Sequence, residues 1–265
     1  MKKNKKQLCL FHDAKVQNAI DFIQKVSNLA IKMGQPLFIG FSGGKDSQCV
    51  LKLAELAKVP FIAVYNNTTI DPPENVRFIR KYYPEVKIVN PKSNFFSECV
   101  KQNMLPRIGA RWCCKVFKES KGYGFIITGV RADESATRSK YHRLSFKNGD
   151  AYSDRKMRKN RKVMAYPILD WSEGDVWQFI DDYDLPINPC YELSGRVGCL
   201  FCPFAPTRYR LLIRDRYPRY YRLMLRTISQ MMSNGYMKNE PFSTPEEVYE
   251  WWCSKMSVDE YLLRL

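Results

Sequence analysis

The stretch Phe38-Ile-Gly-Phe-Ser-Gly-Gly-Lys-Asp-Ser47 begins apolar and ends in glycine and polar residues. Its apolar part, within 36–41, has strand length. Residues 47–57 carry Val50, Leu51, Ala54 and Leu56 on one helical stripe. Strand, glycine turn and helix in that order make a phosphate cradle. Gly43 and Gly44 let backbone N–H groups turn toward a ligand, and the helix N-terminus adds partial positive charge. Lys45 supplies a full charge, and Ser42 and Ser47 supply hydroxyl donors. A Walker A loop would need glycine where Ile39 stands and Ser or Thr where Asp46 stands, so this is a different loop. The plainer alternative, a glycine turn that only caps a helix, does not account for the serines and the lysine.

Outward from the loop, residues 14–33 repeat Val16, Ile20, Ile23, Val26, Leu29 and Ala30 at helical spacing, and Pro36 after Gly34 ends that helix. Strand-length apolar runs recur at 60–65, 86–89 and 124–128, and Pro72 and Pro73 open a helix that runs through Arg80. This alternation predicts βαβ units and an α/β fold with a parallel sheet. Its buried strands are continuously apolar, as such a sheet requires. Residues 140–162 are basic and lack apolar periodicity, which predicts a basic loop or hairpin. A helix is expected from about Glu173 to Tyr183, then a cysteine loop, then a strongly basic helical tail. Within that tail Thr244-Pro-Glu-Glu247 is a helix start with a capping box. The expected domains are a nucleotide-binding region at 1–204, which includes the cysteines, and a basic helical extension at 205–265.

Of the 265 residues, 45% are hydrophobic and 14% aromatic, enough to fill a core. The net charge is +16, from 43 basic against 27 acidic residues, and suits a polyanionic partner. No stretch reaches the roughly 18 apolar residues of a membrane helix. Lys2, Lys3, Lys5 and Lys6 lead into a mixed segment without a secretory apolar region, so a cytoplasmic protein with no membrane partner is expected.

Nine cysteines are many for a chain in that compartment, where disulfides are rare. Cys9, Cys49, Cys99, Cys190 and Cys253 stand alone, whereas Cys113-Cys114 and Cys199-x-x-Cys202 are paired. Four thiolates in two pairs suit tetrahedral zinc or a [4Fe–4S] cluster. Adjacent cysteines are awkward for a zinc knuckle, so spacing leans toward the cluster, with zinc and free buried thiols left open. His12 and His142 have no metal-ligand spacing.

The Ser42–Ser47 loop is similar to the pyrophosphate loop (PP-loop) of the adenine-nucleotide α-hydrolase superfamily. Members of that superfamily split ATP between its α and β phosphates or bind adenylyl sulfates. Within it, the chain resembles the phosphoadenosine phosphosulfate (PAPS) / adenosine phosphosulfate (APS) reductase family over residues 36 to about 206. The resemblance is carried by Cys113, Cys114, Lys118, Cys199 and Cys202. It is carried also by Gly129-Val-Arg131-Ala-Asp-Glu134-Ser135-Ala-Thr-Arg138, by Pro167, Trp171, Asp175 and Trp177, and by Leu185-Pro-Ile-Asn-Pro189. It implies a Rossmann-like doubly wound sheet and ATP, APS or PAPS as ligand. It also implies Mg²⁺ held with the help of Asp46, and a [4Fe–4S] cluster on the four paired cysteines. The nucleotide contacts it implies are Ser42, Gly43, Gly44, Lys45, Asp46, Ser47, Asn67, Thr68, Gly129, Arg131, Glu134 and Arg138. Catalytic roles fall to Lys45, Asp46, Arg131 and Lys118.

Two departures matter. The family's reductases carry a catalytic cysteine in a Glu-Cys-Gly-Leu-His context, whereas the last cysteine here is Cys253 in Trp251-Trp-Cys-Ser-Lys255, a setting that reads as core. Asn66-Asn-Thr-Thr-Ile-Asp-Pro-Pro-Glu74 is closer to the branch that contains the DNA-phosphorothioation sulfurtransferase. That branch implies ATP cleavage and sulfur transfer to nucleic acid, DNA rather than tRNA, with a cysteine desulfurase or another sulfur donor as partner. Arg155, Lys156, Arg158, Lys159, Arg161, Arg208 and Arg210 are the candidate nucleic-acid contacts, with tail tyrosines as stacking surfaces. The alternatives are a sulfonucleotide reductase releasing sulfite, a non-catalytic nucleic-acid-binding partner, and, for the tail, an ordinary solvated helix face.

Overall fold

The structure is a computed structural model that describes residues 2–119, 124–147 and 162–264. In chain order its helices and strands are α1 (Lys2–Lys32), β1 (Leu37–Gly40), α2 (Lys45–Leu56), β2 (Ile62–Asn66), α3 (Pro73–Tyr82), β3 (Lys87–Val89) and α4 (Phe95–Gln102). They continue with α5 (Trp112–Cys114), β4 (Gly124–Ile127), β5 (Leu144–Lys147), β6 (Lys162–Ala165), α6 (Glu173–Asp182) and α7 (Cys190–Ser194). The last are α8 (Thr207–Arg216), α9 (Pro218–Ser233), α10 (Pro245–Ser254) and α11 (Val258–Leu262). Among the described residues no helix is long and apolar enough to cross a membrane.

The six strands form one sheet in the order β3-β2-β1-β4-β6-β5. β1 pairs in parallel with β2 on one side and β4 on the other, and β4 pairs in parallel with β6. The chain therefore reverses its direction of travel across the sheet beside β1. In doubly wound sheets that reversal leaves a crevice at the strands' carboxyl ends, where ligands bind. The sheet is Rossmann-like, as the family resemblance implies, with one addition. β5 runs antiparallel to β6, so the sheet is mixed at that edge. The basic segment at 140–162 thus enters and leaves as a hairpin, and its residues 148–161 lie outside the described residues.

The division of the chain differs from a single boundary near residue 204. Two interleaved units form instead: residues 1–65, 77–89 and 121–193, and residues 66–76, 90–120 and 194–265. The second unit has its own apolar core, and this is the physical reason for the correction. Ile70, Phe95, Cys99, Leu105, Trp112 and Phe117 share one cluster with Leu200, Phe201, Ile213, Met224, Ile228, Trp251 and Trp252. Phe95 stacks on Trp112 at 5.7 Å and on Phe201 at 6.0 Å between ring centres. The tail is therefore a structural partner of the 66–120 segments rather than an appendage.

Local chemistry sets the helix starts. Thr244 accepts from the Glu247 amide while Glu247 reaches back to the Thr244 amide, the capping box read from the sequence. Ser172 and Asp175 do the same for α6.

Candidate functional site

In the first unit, β1 delivers the loop Phe41–Gly44 and α2 begins at Lys45. Gly43 has φ +80°, a left-handed conformation that glycine adopts without a Cβ penalty. The loop is held by its own hydroxyls. The Ser42 amide donates to Ser47 Oγ at 3.1 Å, and Ser47 Oγ donates to the Gly44 carbonyl at 2.8 Å. Asn188 Nδ2 donates to the Gly43 carbonyl at 2.9 Å, and the Lys45 amide donates to the Tyr191 hydroxyl at 2.8 Å. A loop tied this way has its donor geometry set before any ligand arrives.

Lys45 is only 9% exposed. Its ammonium lies 3.3 Å from Glu173 and 3.6 Å from Asp46, and within 6 Å of the Trp177 and Tyr191 ring centres. Burial pushes the Tyr191 hydroxyl above its ordinary pKa, so it stays a neutral partner for the amide. Asp46 also meets Arg131, which is 4% exposed and donates from Nε to Asp46 Oδ1 at 2.6 Å. Arg131 comes from the loop after β4, so the two loops at the reversal of strand order are joined by this pair. Gly129 makes the approach possible, because a Cβ there would lie 2.6 Å from the Asp46 carbonyl group. Glu134 accepts from the Arg131 amide at 3.0 Å and pairs with Arg138.

The second unit holds the cysteine site. Cys113, Cys114, Cys199 and Cys202 line one cavity of about 40 Å³ together with Thr68, Ile70, Arg111, Phe117, Lys118, Phe201, Pro203 and Phe204. Cys113 donates to Cys114, so Cys114 is held well below the ordinary thiol value and Cys113 well above it. Arg111 and Lys118 add positive charge at Cys114, and Thr68 Oγ1 donates to Cys199 Sγ at 3.5 Å. The charges of Cys199, Asp71 and Cys114 raise the Lys118 ammonium pKa. Among the described residues no group of three or more His, Cys, Asp or Glu side chains is placed to hold a metal ion. The four sulfurs share one apolar, cation-flanked cavity, but their placement does not by itself show a metal or cluster site.

The predicted residues thus fall into two groups. Ser42, Gly43, Gly44, Lys45, Asp46, Ser47, Gly129, Arg131, Glu134 and Arg138 belong to the first unit. Lys118, the four cysteines, Asn67 and Thr68 belong to the second, where Asn67 donates to Asn90 at 2.9 Å. Sequence reasoning assigned no role to Tyr191 or Glu173. Trp177 and Asn188 appeared only as parts of longer motifs, and a polar residue between two prolines was the one signal for Asn188.

The tail needs a correction. Arg210 is 1% exposed, and its guanidinium donates to the carbonyls of Trp252 at 2.9 Å and Cys253 at 2.6 Å. It closes the carboxyl end of α10 and is not open to a nucleic acid. Arg208, Arg214, Arg216, Arg219, Arg222 and Arg226 are exposed, whereas Tyr209, Tyr217, Tyr220 and Tyr221 pack on the core. Arg155, Lys156, Arg158, Lys159 and Arg161 lie outside the described residues.

Residues 36–205 match the phosphoadenosine phosphosulfate reductase domain. An uncharacterised protein of Methanocaldococcus jannaschii is 27% identical over 216 residues, which cover 77% of this chain and 50% of that one. Sulfate adenylyltransferase subunit 2 of Stutzerimonas stutzeri is 28% identical over 205 residues, 66% of this chain and 65% of that one. The chain thus spans about half to two thirds of the length of these relatives. The phosphoadenylyl-sulfate reductase of Candida auris, solved as a phosphate complex, shares the fold with a TM-score of 0.50 and 16% identity, covering 72% of this chain and 95% of that one.

Proposed function

The chain belongs to the phosphoadenosine phosphosulfate reductase domain family, and on that premise we propose that it is an ATP-pyrophosphatase-type sulfurtransferase acting on a nucleic acid, DNA rather than tRNA. The observation that carries this reading is the hydroxyl-tied loop Ser42–Ser47 at the reversal of strand order, with Lys45 and Arg131 beside it. Polyphosphate is the ligand such a loop suits.

The β and γ phosphates of ATP occupy the loop, with Lys45 as counter-charge. Asp46, held by Arg131 at one carboxylate oxygen and facing Lys45 with the other, would help hold nucleotide-bound Mg²⁺. An acceptor phosphate oxygen attacks the α-phosphorus. The new P–O bond forms as the bond to the β-phosphate oxygen breaks, and pyrophosphate leaves with the electron pair. Its charge is already neutralised, which lowers the barrier. A sulfide-level sulfur then displaces AMP with no net oxidation. It comes from a cysteine desulfurase with a thiol reductant, or from another donor.

Cys113, Cys114, Cys199 and Cys202 would hold a [4Fe–4S] cluster, which when bound supplies soft, redox-active sulfur chemistry. Arg111 and Lys118 offset its negative charge and Thr68 donates toward a sulfur. The reductase alternative requires a nucleophilic thiolate in the tail. Cys253 is fully buried, and burial pushes its thiol up to about 11, so it is protonated at neutral pH.

The test is anaerobic purification followed by pyrophosphate and sulfite assays with ATP, APS and PAPS in parallel. DNA-dependent pyrophosphate release from ATP, absent in Lys45→Ala, supports the proposal. Sulfite from APS or PAPS makes the chain a reductase. ATP binding with no product makes it a non-catalytic partner.

A further inference from the structure

A second cavity, of about 340 Å³, lies within the second unit. Its lining includes Arg107, Arg210, Trp251, Trp252 and Lys255. Three of these side chains are cationic and none is acidic. Arg210 spends its two terminal nitrogens on the carbonyls of Trp252 and Cys253, and among the described residues its Nε has no hydrogen-bond partner. Trp251, 4% exposed, likewise has an Nε1 with no partner among the described residues. Both N–H groups are closed to solvent, so they add positive potential to the wall rather than contacts to an occupant. Arg107 stands over the Trp251 ring at 5.8 Å and Arg210 over the Trp252 ring at 4.6 Å. Burial and repulsion from Arg210 and Arg196 pull the Lys255 ammonium pKa down, the mark of crowded like charge.

We propose that this cavity is an oxyanion site, separate from the Ser42–Ser47 loop, for a phosphate group carried on a larger organic body. Arg107 and Lys255, both exposed at the cavity, neutralise the phosphate, and the buried Arg210 adds positive charge behind the wall. The volume exceeds what a bare phosphate fills. Pro106, Ile108, Met256 and Val258 give the remainder an apolar wall. The phosphate can come from a free monoester or from a nucleic-acid strand, and both present the same chemistry to these donors.

Titration calorimetry on the full chain tests this with inorganic phosphate, thymidine 5′-monophosphate and a single-stranded oligothymidylate. Thymine probes avoid an adenine-nucleotide pocket. Two variants are informative. Arg107→Ala removes an exposed cation. Lys255→Gly removes another while relieving a left-handed backbone at φ +67°, so a loss of binding there cannot be ascribed to unfolding. The expected result is saturable binding of an organic phosphate, weakened about tenfold by either variant and unchanged in Lys45→Ala. Tighter binding of the oligonucleotide identifies a strand as the source, and tighter binding of the monophosphate identifies a free ligand. Absence of saturable binding, affinity in Arg107→Ala and Lys255→Gly unchanged from the parent, or loss of binding in Lys45→Ala overturns the proposal. None of these outcomes depends on whether the chain transfers sulfur.

Discussion

Arg131 Nε donates to Asp46 Oδ1 at 2.6 Å, and this one contact ties the loop after β4 to the loop after β1. Arg131 is buried and keeps Asp133 and the Trp171 carbonyl as further partners, while Asp46 has Lys45 on its other side. The two loops are therefore set as one rigid piece before substrate binds.

Removing one partner leaves the other charge partly buried and uncompensated. Arg131→Ala should destabilise the chain by about 3 kcal/mol. Chemical denaturation measures it, and Arg131→Ala combined with Asp46→Asn should lose less than the two single changes added together.

Gly129→Ala places a methyl 2.6 Å from the Asp46 carbonyl group, and the obstacle is main chain that no rotamer change can clear. A stability loss on the order of 2 kcal/mol is expected. ATP affinity, read by calorimetry, should fall with it because the phosphate loop must shift.

Tyr191→Phe removes only the acceptor of the Lys45 amide. That N–H sits at the start of α2, where a phosphate oxygen or water can replace the hydroxyl. Stability should drop by about 1 kcal/mol in the absence of nucleotide. ATP at saturating concentration should restore part of the loss in a thermal-shift assay.

Alkaline pH should destabilise the fold through Cys253. Its thiol, ordinarily near 9.0, is raised to about 11 by burial. The folded chain keeps a proton that the unfolded chain releases. The contribution is therefore full below pH 9 and is lost as pH rises from 9 toward 11. Melting temperature should fall less steeply between pH 8 and 10.5 in Cys253→Ala than in the parent. The difference amounts to at most on the order of 2 kcal/mol.

Much of the chain was legible where its signals are local. Gly43 at a left-handed φ, the apolar stripe of α2, and the Thr244–Glu247 box each depend on residues a few positions apart. Period and turn chemistry read such features directly. The antiparallel edge strand β5 was half visible as a basic hairpin, since its pairing partner β6 lies only a loop away.

What the chain's order of residues determined by itself was the phosphate loop, the alternation of strand and helix, and the two cysteine pairs. Tertiary structure alone decided that 66–76 and 90–120 share a core with the tail. It also decided that Arg210 seals a helix end while Arg208, two residues earlier, faces solvent. Which face of a basic helix is buried depends on the partner it meets far along the chain, and arginines two positions apart carry no local mark that tells them apart. Local patterns specify elements, and burial is settled only when distant apolar surfaces find one another.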